Sequence, residues 1–257
     1  MKTKFLLLAI GLILISCGNT ILNSNTIEDE IINVDAVPKI VSEIKLPKGF
    51  KRKETKAYGS WIRNIKLTKD NTVYYFNGKK KQNQSIHVGV LDFDIGKRDL
   101  QQCADACMRI RSEYLFENKK FNEIKFLFAN GKWSKSFANY TTKRTSKAFR
   151  SYLNYVYSFA NTASLKKQLK SVLVKDIKIG DVFVQSGNPY GHAVTVMDVC
   201  VNAKGKKKFM ISQSYMPAQS IEILINPKDN SAWYSADFTG DLDTPEWSFT
   251  DSDLKRF

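Results

Sequence analysis

Side chains able to carry acid–base or nucleophilic chemistry near neutral pH are few in this chain: the histidines His87 and His192, and the cysteines Cys17, Cys103, Cys107 and Cys200. A zinc site needs about four ligands, and two distant histidines without CxxC or HExxH spacing do not supply them, so no metal and no other cofactor is expected. Asp92 and Asp94 alternate along a strand pattern; such a carboxylate pair can do acid–base work or hold a cation, and near a strand end it can instead cap a turn. Asp241-x-Asp243-x-x-Glu246 is too short for a calcium loop and reads as a solvated acidic turn. Trp61, Trp133, Trp233 and Trp247 lie near Gly, Asn or Ser, where a ring either stacks on a sugar or anchors a loop by burial. Cys103 and Cys107 share a helix face with parallel Cβ vectors, a poor disulfide geometry, whereas Cys200 could pair with either.

Several elements must position these groups. Asp99-Leu100-Gln101-Gln102 has capping-box spacing, and Leu100, Cys103, Ala104, Cys107, Met108, Arg111 and Leu115 follow a helical period, predicting a helix capped by Asp99 that runs to about Phe116. Cys103 then sits one turn inside, on the apolar stripe, where a thiol can equally be a small core residue. Thr72 to Phe76, Asn77-Gly78 and Ile86 to Ile95 predict a hairpin, and Ile124 to Phe128 a further strand. Thr145 to Ala160 and Ser164 to Leu173 read as helices, the second capped by Ser164. From Ile179 onward, Asp181 to Gln185, His192 to Val201, Phe209 to Tyr215 and Ser220 to Ile225 predict an antiparallel meander. His192 shares a strand face with Val194 and Val196, so a half-buried structural role is the alternative to a catalytic one.

With 257 residues, 43% apolar, the chain can bury a full core and is not disordered. Its charge of +15 attracts anionic surroundings without choosing among lipid, wall polymer and nucleic acid. The N-terminus does choose: Lys2 and Lys4 precede an apolar run from Phe5 to Ile15, a secretory signal pattern, shorter than the about 20 residues of a membrane span. The run ends in Leu14-Ile15-Ser16-Cys17-Gly18, which resembles the lipobox of bacterial lipoproteins. That resemblance implies diacylation of Cys17, and Gly18 resembles the pattern of lipoproteins sent to an outer membrane. The expected organisation is a signal peptide over 1–16, a lipidated Cys and tether over 17–44, and one globular domain over 45–257. The partner implied is the membrane, through the N-terminal lipid. Nucleic acid is not expected, because the basic residues are mostly scattered lysines on a secreted chain.

Ile179-Gly180-Asp181-Val182-Phe183, a loop, then Gly191-His192-Ala193-Val194 resemble a stretch of cell-wall peptidases and amidases with a papain-like core. The resemblance implies that His192 supplies the base on the second strand. Such an enzyme needs a thiolate near a helix N-terminus; Cys103 is the candidate, and Gln213, on the following strand, the candidate orienter of the imidazole or oxyanion donor. Taken with Asp92 to Ala106 and Ser212 to Gln219, these motifs also resemble a family of bacterial envelope proteins known only as a domain of unknown function. The expected fold is α+β, a helical part packed on an antiparallel β-sheet, with a papain-like core implied by the first resemblance. Two functions follow as alternatives: a Cys/His hydrolase or transferase on envelope peptides or amides, with cell-wall peptide or glycan as ligand, or a non-catalytic binding or scaffold module.

Overall fold

In the computed structural model, which describes residues 37–257, packing starts upstream of the expected boundary at 45. Ile40 bridges Lys66, and Val41 and Ile44 are buried against Ile62, Ile65 and Leu91. Their apolar side chains have a core to enter, so this stretch is not tether. The signal peptide and Cys17 lie outside the described residues. Along the chain come β1 (Phe50–Arg52), α1 (Tyr58–Arg63), β2 (His87–Val90), α2 (Cys103–Glu117), α3 (Phe137–Tyr140), α4 (Ser146–Tyr157), α5 (Thr162–Gln168) and β3 (Lys170–Ser171). There follow β4 (Val182–Gln185), β5 (His192–Asn202), β6 (Lys207–Gln213), β7 (Glu222–Leu224), β8 (Tyr234–Ser235), β9 (Asp241–Asp243), β10 (Ser248–Thr250) and β11 (Leu254–Arg256).

Nine strands form one antiparallel sheet in the order β2-β7-β6-β5-β4-β11-β3, with β1 added to β5 and β8 to β6, while β9 and β10 make a separate hairpin. The fold is thus α+β, and the meander β4 to β7 is the one its alternating residues predict. From His192 to Cys200, β5 is buried without a break because both its faces are covered. Val182, Val184 and Ala193 pack with Ala104, Cys107 and Met108 of α2 and with Leu153 and Val156 of α4. The alternate residues Phe183, Val194 and Val196 face the other way, onto Phe209, Leu242 and Phe249. Asp198, buried in β5, accepts from Arg52 at 2.7 Å and Arg63 at 2.7 Å, tying β1 and α1 to the sheet.

Three local expectations are corrected. The residues 72–76 do turn at Asn77-Gly78, where Gly78 takes a left-handed φ of 81° and Tyr74 bridges Lys80, but β2 pairs with β7 instead of with them. A second strand partner was available in the meander, and a buried sheet edge outweighs a local turn. Ile124 to Phe128 contributes only the bridge Leu127 to Trp133. The helix expected from Ser164 starts at Thr162: Asn161 is its cap, and Ser164 closes the capping box from within.

Candidate active site

The start of α2 differs from its expected position in a way that matters chemically. Asp99 does not cap the helix; its Oδ1 accepts from the Ala218 amide at 2.7 Å and from Gln102 Nε2 at 3.0 Å. A loop distant in sequence takes this carboxylate, and the cap passes to Gln102, with Asp105 completing the box. Cys103 is therefore the first residue of the helix rather than one turn inside it. There the free N–H groups of a helix N-terminus lie; the amides of Cys103 and Ala104 at the helix start, and that of Ala193 on β5, favour a thiolate at this position.

Cys103 Sγ lies 3.9 Å from the Gly191 carbonyl oxygen. The thiol thus meets the backbone of the residue before His192, and the Ala193 amide after it favours the thiolate. Gly191 is required here, since a Cβ would stand 2.3 Å from the Gln185 oxygen and 2.7 Å from Thr162 Oγ1. Cys103 is 4% exposed and lines a cavity of about 280 Å³ shared with Gln102, Asp105, Tyr157, Tyr190 and Met216. Burial pushes its thiol up to about 12, the Asp105 carboxyl adds to the rise, and the three amides oppose it.

His192 opens β5 and is fully buried, its ring among Tyr215 at 4.8 Å, Trp247 at 5.4 Å and Phe249 at 5.7 Å. Gln213 projects from the same sheet face, one residue beyond the Thr195–Ser212 pair. His192 Nε2 and Gln213 Oε1 are 2.9 Å apart. The Gln213 amide can be oriented only one way, because its Nε2 donates to Glu222 Oε1 at 3.1 Å and to Glu246 Oε2 at 2.6 Å. Its oxygen must then face the imidazole, and an oxygen there requires a proton on His192 Nε2. The neutral ring consequently carries its lone pair on Nδ1, which is buried and has no hydrogen-bond partner. Burial pulls His192 down to about 4, with the Lys81 charge in the same direction and the Gln213 bond opposing.

Behind Gln213 stands a cluster that pattern reading missed. Lys81, 5% exposed, donates to Glu222 at 2.7 Å and Glu246 at 2.6 Å, and Gln219 Nε2 donates to Glu222 at 2.8 Å. His87 Nδ1 stands at ion-pair distance from Glu222 Oε2, 3.2 Å, though not in hydrogen-bond geometry, while its Nε2 bonds the Asn71 oxygen at 2.8 Å. For His87 the burial penalty is outweighed by Glu222 and the Asn71 oxygen, and its pKa is raised. For Glu222 burial is likewise outweighed, by His87, Lys81 and Gln213, and its pKa is lowered. The signal for Glu222 was a carboxylate between Ile221 and Ile223 in an otherwise apolar strand; Lys81, inside a run of lysines, carried none.

Other candidates go elsewhere. Asp181 of the Gly-Asp pair is structural: Arg256 grips it at 2.6 and 2.8 Å, pinning β11. Asp92 and Asp94 are exposed, and Asp94 caps the turn at Gly96. Asp241 and Asp243 lie exposed on β9, while Glu246 reaches into the site. Cys103, Cys107 and Cys200 are all buried free thiols. Among the tryptophans, Trp233 is core, Trp247 packs on His192, and Trp133 is exposed. No group of three or more His, Cys, Asp or Glu among the described residues could hold a metal ion.

A family model described as a domain of unknown function (4846) matches residues 40–256. Comparison with curated proteins and with solved structures returns no match.

Proposed function

The chain belongs to the domain of unknown function (4846) family, whose description assigns no chemistry, and from the site alone we propose that it is a Cys/His hydrolase or transferase acting on peptides or amides of the cell envelope. The observation that carries this reading is the locked tautomer of His192: Nε2 is held by Gln213, Nδ1 is buried without a partner, and Cys103 Sγ, not hydrogen-bonded to that nitrogen, lies 3.9 Å from the carbonyl of the preceding residue, Gly191. In the reaction, Nδ1, which makes no hydrogen bond to Sγ at rest, is brought to it by a rearrangement on substrate binding and takes the Sγ proton as sulfur attacks the substrate carbonyl carbon. The thiol and imidazole are both neutral at rest, so His192 acts as general base during attack rather than as a preformed imidazolium. The amides at the α2 N-terminus would receive the developing oxyanion. The proton on Nδ1 then passes to the leaving amine, and water or a second amine takes the acyl group from sulfur. The Phe5 to Ile15 run and Cys17 would place this domain at the envelope through a lipid, where peptides of the wall are its substrates.

The alternative, a binding module using the same cavity, is favoured by one observation: burial raises the thiol and lowers the imidazole, the opposite of an activated pair. Labelling with a peptide-derived electrophile distinguishes them. As a hydrolase, the protein is modified at Cys103 and His192→Ala slows that modification about 100-fold, the low end of general-base effects. Cys107 and Cys200, raised by burial to about 12 and about 11, serve as internal controls. Equal labelling rates with and without His192 would leave the binding module.

A further inference from the structure

Charge is unevenly spread over this molecule. Residues 118–160 contain seven Lys, two Arg and a single Glu, whereas 229–254 contain no Lys or Arg. Within the basic stretch, Lys119, Lys120, Lys125, Lys132, Lys135, Lys143, Arg144 and Lys147 are all exposed, and Arg150 alone turns inward, onto Gln101. Exposed rings share the region. Of six large apolar side chains exposed among the described residues, three lie here: Trp133 at 53%, Phe159 at 53% and Tyr140 at 38%. Tyr140 and Phe159 are joined through Tyr155, at 5.2 Å and 5.6 Å, and Phe159 reaches Phe128 at 5.5 Å. Trp133 belongs to the adjoining bridge with Leu127, and Lys125 lies 5.6 Å over its ring.

We infer that this face docks on an anionic phospholipid surface, its rings entering the headgroup layer and its lysines pairing with phosphates. Aromatic rings with one apolar and one polar edge prefer that layer, and basic side chains around them gain from its negative potential. Charge complementarity selects an anionic occupant over a neutral one, and exposed rings select a surface with an apolar interior over a soluble polyanion. The docking face ends at Phe159, next to Ala160, Asn161 and Thr162 of the cavity wall, so a docked domain would hold that cavity near the membrane. This inference does not depend on the catalytic reading.

The test uses the full chain with vesicles of phosphatidylcholine alone or mixed with phosphatidylglycerol, each with and without brominated acyl chains. Tryptophan emission is compared between the wild type and Trp133→Phe, a mild change at an exposed ring. The expected result is bromolipid quenching on phosphatidylglycerol vesicles that is lost in Trp133→Phe, absent on phosphatidylcholine, and weakened by salt and by Lys132→Glu with Lys135→Glu. Equal quenching of wild type and Trp133→Phe, or equal quenching on both vesicle types, overturns the inference. Shielding of Trp133 from aqueous iodide by dextran sulfate, without quenching by bromolipid, would assign the face to a wall polymer and also overturn it.

Discussion

Acidification should destabilise this protein through His192. The ring is buried and neutral, with its folded value pulled from 6.5 down to about 4. Below pH 6.5 the unfolded chain therefore binds a proton that the folded one refuses. Stability falls as pH falls through this window, until the folded form also protonates near 4. At about 1.4 kcal/mol per pKa unit, the His192 contribution lost is about 3 kcal/mol, a large share of an ordinary domain's roughly 5–15 kcal/mol. His87 acts with the opposite sign: its folded value is raised, so its contribution is complete below about 6.5 and is lost as pH rises through the folded value. Because the chain has only these two histidines, His192→Gln separates them, keeping an amide donor toward Gln213 without titrating. Urea unfolding of wild type and variant, repeated from pH 7.5 to pH 4, reads the difference. The wild type should lose about 3 kcal/mol relative to the variant across that range. A difference constant to about 0.5 kcal/mol would refute the reasoning, because a histidine that does not resist protonation is not held as a buried neutral ring with a free Nδ1.

Two further outcomes follow from the same geometry. Glu222→Gln removes the charge that Lys81 and His87 share, and should cost about 3–5 kcal/mol as a broken buried pair; urea unfolding measures it, and the NMR titration of His87 should move down in pH. Gly191→Ala forces a Cβ to within 2.3 Å of the Gln185 oxygen, so the strand end must shift at a cost of about 1–3 kcal/mol. Thermal unfolding should show that loss, and electrophile labelling of Cys103 should fall with it, since Gly191 holds the sulfur.

Much of the sheet was legible before the structure. Strand segments from Asp181 to Ile225 alternate or run apolar between turn residues, and they pair in sequence order, where connections are short and register follows from the buried face. The helix of Ser146–Tyr157 likewise carries its own cap at Thr145 and its own period. The start of α2 differs from its local pattern for a physical reason. Asp99 and Gln102 both offer side chains that can cap, and only the arrival of the Ala218 amide, more than a hundred residues later, decides which one is free to do so.

Residue type and local spacing by themselves determined the α+β class, the order of the meander, and the scarcity of groups able to do chemistry: two histidines and a few thiols. Tertiary structure decided what those groups can do. It moved Cys103 to the first position of its helix, set its sulfur against the backbone flanking His192, and oriented Gln213 through Glu222, Glu246 and Lys81 so that one imidazole nitrogen was left free. The reason is physical: propensity and periodicity act over a few residues, whereas burial and hydrogen-bond partnership are set by whatever the fold brings alongside, and those two terms govern the proton on His192.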